Sequence, residues 1–190
     1  MSRLGLMPAR RLVFLATILA GVLTGPLLGH RLDEYLQTTF ITVEPNQVDL
    51  DLTLTPGINL AAGLFATLDR DQDGTVSARE ADTYAREVSA ALSLEVDDTP
   101  RSLKVIQHHF PSREDLLTGR ALLRIRFRAE FPPLAPGDHH LTFRNSYQTN
   151  VSVYLVNAVL PESKSVEITR QTRDLQQLQS RIDFRLAAAP

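Results

Sequence analysis

The sequence predicts an α+β fold: a mainly antiparallel β-sandwich carrying one inserted helix–loop–helix. Three observations lead there. Apolar and polar residues alternate over most of the chain after residue 30, which is the period of half-buried strands. Turn residues punctuate these runs at short spacing, as they do in sandwiches. Over residues 59–92 the period lengthens to that of a helix, on both sides of a polar loop.

Residues 1–29 read as a separate unit. Arg3, Arg10 and Arg11 flank the start of an uncharged 12-residue apolar run, Leu12–Leu23. Gly25-Pro26 breaks that run, and Gly29 offers a small residue for cleavage. This is the pattern of a secretory signal peptide, and the run falls short of the roughly 20 apolar residues that span a bilayer. A chain starting at His30 keeps 17 basic and 22 acidic residues, a net charge of −5. No other apolar run reaches spanning length, so residues 30–190 are expected to form one exported domain, periplasmic or secreted.

The strands follow in order. Tyr35–Val43 is rich in Thr, Phe, Ile and Val, and Glu44-Pro45-Asn46 supplies a turn. Val48, Leu50, Leu52 and Leu54 then alternate with polar residues, completing a half-buried hairpin. Leu60, Leu64, Phe65 and Leu68 line one helical face; Ala81, Tyr84, Ala85, Val88 and Leu92 line a second. Arg124, Arg126 and Arg128 alternate with Leu123, Ile125 and Phe127, a strand with one wet face and one core face. His139–Arg144 follows the turn residues Pro136-Gly137. Val151–Val159 is almost continuously apolar and reads as a central strand. Val166–Thr169 and Ile182–Leu186 read as closing strands, and Ala187–Pro190 as a frayed end.

Composition narrows the chemistry. With 43% apolar and 22% charged residues, the chain has the makeup of a folded domain with a core rather than of a disordered segment. A formal net charge of −2 and the lack of a basic block argue against nucleic-acid binding. The chain has no cysteine, which excludes disulfides, iron–sulfur clusters, thiolate zinc sites and cysteine nucleophiles. There is no GxSxG, no HExxH and no phosphate-binding glycine loop, and the expectation is a non-catalytic protein.

The loop between the two helical faces reads Asp69-Arg-Asp71-Gln-Asp73-Gly74-Thr75-Val76-Ser77-Ala-Arg-Glu80. A hard divalent cation such as calcium takes six to eight oxygens. Asp69, Asp71 and Asp73 stand at loop positions 1, 3 and 5, and Gly74 permits the sharp turn at position 6. Thr75 at position 7 would offer its carbonyl, Ser77 at position 9 its hydroxyl or a water, and Glu80 at position 12 both carboxylate oxygens. The loop resembles an EF-hand calcium loop at every diagnostic position. Ser77 and Glu80 also have the spacing of a capping box, which starts the outgoing helix at the site. EF-hands usually occur in pairs joined through position 8, here Val76, yet the chain holds no second such loop. The expected arrangement is therefore a lone hand braced by the β domain, in a monomer.

Two other readings carry weight. His30 at a processed amino terminus could bind copper or nickel, with the His108/His109 or His139/His140 pairs adding nitrogens. More broadly, His30–Gln37, Thr55-Pro56-Gly57, Arg144-Asn145 and Val153–Asn157 resemble the extracytoplasmic amino-terminal domain of hydrogenase/urease-accessory-type membrane proteins, a family of nickel or cobalt transporters. The resemblance implies an exported β domain with a membrane protein as partner, and it carries over no transport activity.

Overall fold

The computed structural model describes residues 32–120, 122–161 and 163–188. The leader at 1–29, its cleavage at Gly29, His30 and the last two residues of the tail lie outside the described residues. Among those described, no helix is long and apolar enough to cross a membrane.

From Leu32 on, the described residues form one compact unit, mainly β, with two five-stranded sheets. The first sheet contains β1 (Tyr35–Glu44), β2 (Gln47–Pro56), β5 (Lys104–His109), β6 (Leu123–Glu130) and β8 (Ser152–Ala158), in the order β5-β6-β2-β1-β8. The second contains β3 (Leu92–Val96), β4 (Thr99–Pro100), β7 (Gly137–Asn145), β9 (Val166–Arg173) and β10 (Gln179–Leu186), in the order β4-β3-β7-β10-β9. Three helices are described: α1 (Ile58–Leu68), α2 (Ala78–Ala90) and α3 (Arg113–Leu117). Alternation along the strands turns one face of each sheet into a single core. Leu50, Leu52, Ile125 and Phe127 from the first sheet and Leu141, Phe143, Ile182 and Phe184 from the second are all buried in it.

All strand neighbours are antiparallel except β1 and β8, which run parallel. β8 follows β7 of the other sheet, so the chain must cross between layers, and buried amides hold that crossing. Gln37 on β1 takes a hydrogen bond from Asn145 Nδ2 (2.9 Å) and donates to the Tyr147 carbonyl (2.8 Å) and Ser152 Oγ (2.7 Å). Both amide side chains are buried, and this network satisfies the Gln37 amide.

β8 is an edge strand, which corrects the expectation of a central one. Its apolar run covers two unlike faces: Tyr154 and Val156 are buried, whereas Val153 and Leu155 are 40% and 38% exposed. Part of its outer edge is met by side chains from β9. Arg173 Nε and Gln171 Nε2 donate to the Val156 carbonyl at 2.7 and 3.0 Å, and the Ala158 N–H donates to Gln171 Oε1 at 3.1 Å.

The second helix stops at Ala90, and Leu92 belongs to β3 opposite Asn145 rather than to the helical face. The β3–β4 hairpin turns on Asp97 and Asp98, whose φ angles are 49° and 59°. Tight hairpins need this left-handed pair, and aspartate is among the few non-glycine residues that adopt it. Asp97 also organises β7. Its carboxylate accepts from the His140 N–H (3.0 Å) and meets His139 Nδ1 at 2.7 Å, while His139 Nε2 lies 2.7 Å from the Ala135 carbonyl. Burial alone would lower the His139 pKa, but the bond to Asp97, the Ala135 carbonyl and the charges of Asp97 and Asp138 raise it above 6.5. A raised histidine stabilises the fold fully below 6.5 and loses that contribution as pH climbs through its folded value. Stability should therefore fall as pH rises past 6.5, and Asp97→Asn should flatten the slope in urea melts taken across that window.

Gly57 holds the entry to the helical insert. A Cβ there would lie 2.3 Å from the Leu32 carbonyl oxygen and 2.9 Å from that of Glu34. The close approach serves two bonds: Gly57 N–H to the Glu34 carbonyl (2.7 Å) and Asn59 N–H to the Leu32 carbonyl (3.0 Å). The second satisfies a first-turn donor of α1, which has no side-chain cap. Gly57→Ala should cost about 1–3 kcal/mol, the range for overpacking, seen as a lowered urea midpoint.

Candidate metal centre

The two helices that flank the acidic loop turn their apolar faces into the domain. α1 buries Ala61, Phe65 and Leu68, and α2 buries Ala81, Tyr84, Ala85 and Val88, nearly all within the common core. The Tyr84 hydroxyl meets the Tyr35 hydroxyl of β1 at 3.0 Å, both rings buried. Phe110 and Tyr147 pack edge-on against the Tyr84 ring. The Arg113 guanidinium of α3 lies 5.6 Å over the Phe65 ring, and His108 of β5 contacts Asp82 of α2 at 2.8 Å. The insert is thus braced by the β domain.

Asp69, at the end of α1, is 6% exposed and holds the loop in shape. Its Oδ1 accepts from the Asp73 N–H at 3.0 Å and its Oδ2 from the Gly74 N–H at 2.9 Å. Gly74 has a φ of 88°, and Gln72 is also left-handed at 61°. These two reversals fold the loop back on itself. As a result Asp69, Asp71 and Asp73 each offer an oxygen within 4.8 Å of the others. Three carboxylates at that separation repel unless a cation lies among them.

Glu80 stands outside that triplet and closes the loop through backbone contacts. Its Oε1 accepts from the Arg70 N–H (2.6 Å) and the Asp71 N–H (3.3 Å), and its Oε2 from the Ser77 N–H (2.9 Å) and hydroxyl (2.7 Å). The Ser77 hydroxyl in turn caps α2 by accepting from the Glu80 N–H, completing the capping box. The bonds from the Ser77 hydroxyl and N–H, joined by those from Arg70 and Asp71, outweigh burial and hold the Glu80 carboxyl at a pKa of about 2. It is ionised at any working pH, ready as an acceptor.

The predicted residues thus fall into two groups. Asp69, Asp71 and Asp73 converge. Ser77 and Glu80 bind each other at the start of α2, and the Thr75 hydroxyl and N–H both donate to Asp73 Oδ1 at 2.8 Å. One contribution carried no sequence signal. Arg70, at an unconstrained loop position, supplies the backbone donor to Glu80 and pairs through its side chain with Glu87 of α2. Val76, which joins partner loops in paired hands, packs instead against this chain's own core.

Three of the candidate histidines are engaged elsewhere. His139 and His140 contact Asp97 and Asp98, and His108 contacts Asp82. The arginine stripe of β6 is partly neutralised by β2. Cross-strand register sets Arg128 opposite Asp49 and Arg126 opposite Asp51. Arg128 forks onto Asp49 at 2.6 and 2.7 Å, and Arg126 lies 3.8 Å from both acids.

No protein-family model matches the chain, and no curated protein matches it by sequence.

Proposed function

We propose that the Asp69–Glu80 loop binds one calcium ion as a single EF-hand, in an exported, monomeric, non-catalytic binding or scaffold domain. The observation that carries this reading is the convergence of the Asp69, Asp71 and Asp73 carboxylates in a loop reversed at Gly74. Three hard, anionic oxygen donors on a flexible loop suit calcium better than a soft or imidazole-preferring metal. Glu80, the third residue of the outgoing helix, would swing one or both oxygens onto the ion as the fourth carboxylate. The ion supplies charge compensation; the chain supplies the ligands and a rigid helix on either side. Nothing in this scheme exposes new apolar surface, because the helical faces are already committed to the core. The site therefore reads as a staple rather than a switch of the calmodulin kind.

Calorimetric titration with calcium tests the reading. One ion should bind per chain, and the melting temperature should rise with it. At a hundredfold excess over Kd the gain is about 2.7 kcal/mol. Binding of a hydrophobic dye should stay level or fall, and the protein should remain monomeric. No heat and no shift in melting temperature would overturn calcium binding; a calcium-dependent rise in dye fluorescence would overturn the staple.

A further inference from the structure

We propose that the outer edge of β5 docks an extended acidic peptide, which adds to the first sheet as a further strand. β5 ends its sheet. β6 pairs one edge, and among the described residues no strand pairs the other. A row of backbone N–H and C=O groups on such an edge is a template for another chain.

Two cavities follow this strand. The first, of about 850 Å³, runs between β5 and α2. Its helical wall is Asp82, Arg86, Ser89 and Ala90, one stripe at helical spacing. Its other wall takes every residue from Arg101 to His108 in turn. Lys104 to His108 lie on β5 and Arg101 to Leu103 lead into it, so the groove follows the strand along most of its length. The second cavity, of about 560 Å³, lies over β5 and β6 and shares Gln107 and His108 with the first. The two meet along β5.

Charge identifies the occupant. Arg86, Arg101, Lys104, Arg120, Arg124 and Arg126 line the two cavities, against only two carboxylates, Asp82 and Asp51. This concentration of cations occurs in a chain whose formal net charge is −2. Lys104, Arg120 and Arg126 have carboxylates within 4.0 Å, whereas Arg86 and Arg124 are exposed with none among the described residues. Arg101 lies over the Phe131 ring, and its buried Nε has no acceptor. The register of β5 also skips Ile106, which is 44% exposed. That bulge presents an apolar side chain among the cations. A strand with alternating carboxylates and apolar side chains matches all three features: the free ladder edge, the positive walls and the exposed isoleucine. This inference is independent of the metal loop.

A bulge and a lysine on an edge strand can also serve to keep other strands away, and the test separates the two roles. Fluorescence anisotropy would follow a short fluorescein-labelled peptide of alternating glutamate and valine added to the purified protein. Three comparison probes are the same peptide at raised salt, its lysine–valine counterpart, and the glutamate peptide N-methylated throughout. Saturable binding is expected for the glutamate peptide alone, weakening as salt rises. N-methylation should weaken it at least about tenfold, since a methylated amide cannot donate to the ladder. Arg86→Glu with Arg124→Glu, both at exposed positions, should weaken it as much without changing the circular dichroism spectrum. Equal affinity for the methylated peptide would overturn strand addition in favour of diffuse charge attraction. Absence of saturable binding, or no effect of the charge reversals, would overturn the docking site and leave β5 as a guarded edge.

Discussion

Asp69→Ala should abolish calcium binding in a calorimetric titration, and Glu80→Gln should weaken it by about an order of magnitude or more. The two substitutions act differently. Asp69 is both a predicted ligand and the acceptor for the Asp73 and Gly74 N–H groups. Its loss removes one carboxylate and also releases the reversal that gathers the others. Glu80→Gln is the sharper probe. Glutamine at the third helical position preserves the capping box, so α2 should start where it does now. What disappears is the negative charge and the two-oxygen clamp. An unchanged affinity for Glu80→Gln would remove Glu80 from the ligand set and leave it as a cap and loop tie. Binding that survives Asp69→Ala would place the ion elsewhere.

The largest effect on folding is expected at Tyr84. Tyr84→Ala should cost about 3–5 kcal/mol, the range for truncating a buried aromatic, because its ring fills the space between α2, Phe110 and Tyr147. Tyr84→Phe isolates the hydroxyl effect. It leaves the Tyr35 hydroxyl, buried on β1, without its 3.0 Å partner, at about 1–3 kcal/mol. Removing both hydroxyls together should recover most of that loss, since a pair deleted as a unit leaves no unsatisfied group. The difference between single and double variants, read from urea midpoints, measures how firmly the insert is tied to the first sheet. Additive losses would mean that the two hydroxyls do not act as a pair. The apolar faces of the insert already have neighbours in the core of this chain.

The loop and its two helices were legible in the primary structure because each depends on residues close in sequence. Carboxylates at alternate positions, a glycine where φ must be positive, and serine three residues before glutamate act within one turn of chain. The β1–β2 hairpin and the core faces of β2 and β6 were legible for the same reason. Alternation at Val48, Leu50, Leu52 and Leu54 has one physical outcome once one side is dry. The hairpin at Asp97 was missed because its left-handed turn uses aspartates in place of the usual glycine, and β5 because its bulge at Ile106 breaks the period of two.

Other features rest on partners distant in sequence. No local pattern in Val151–Val159 tells an edge strand from a central one. That depends on which strand lies beside it, and the crossing held by Gln37 and Asn145 places it at the margin, parallel to β1. The arginine stripe looks free in sequence, but register against β2 brings Asp49 and Asp51 onto two of its members. The bracing of the acidic loop rests on Tyr35, Phe110 and Tyr147, far from Tyr84 along the chain. Residues within a turn of each other meet in any compact state. Residues separated by dozens of positions meet only after the sheets have paid the entropy of closing those loops, and only in the register that buries the most apolar surface.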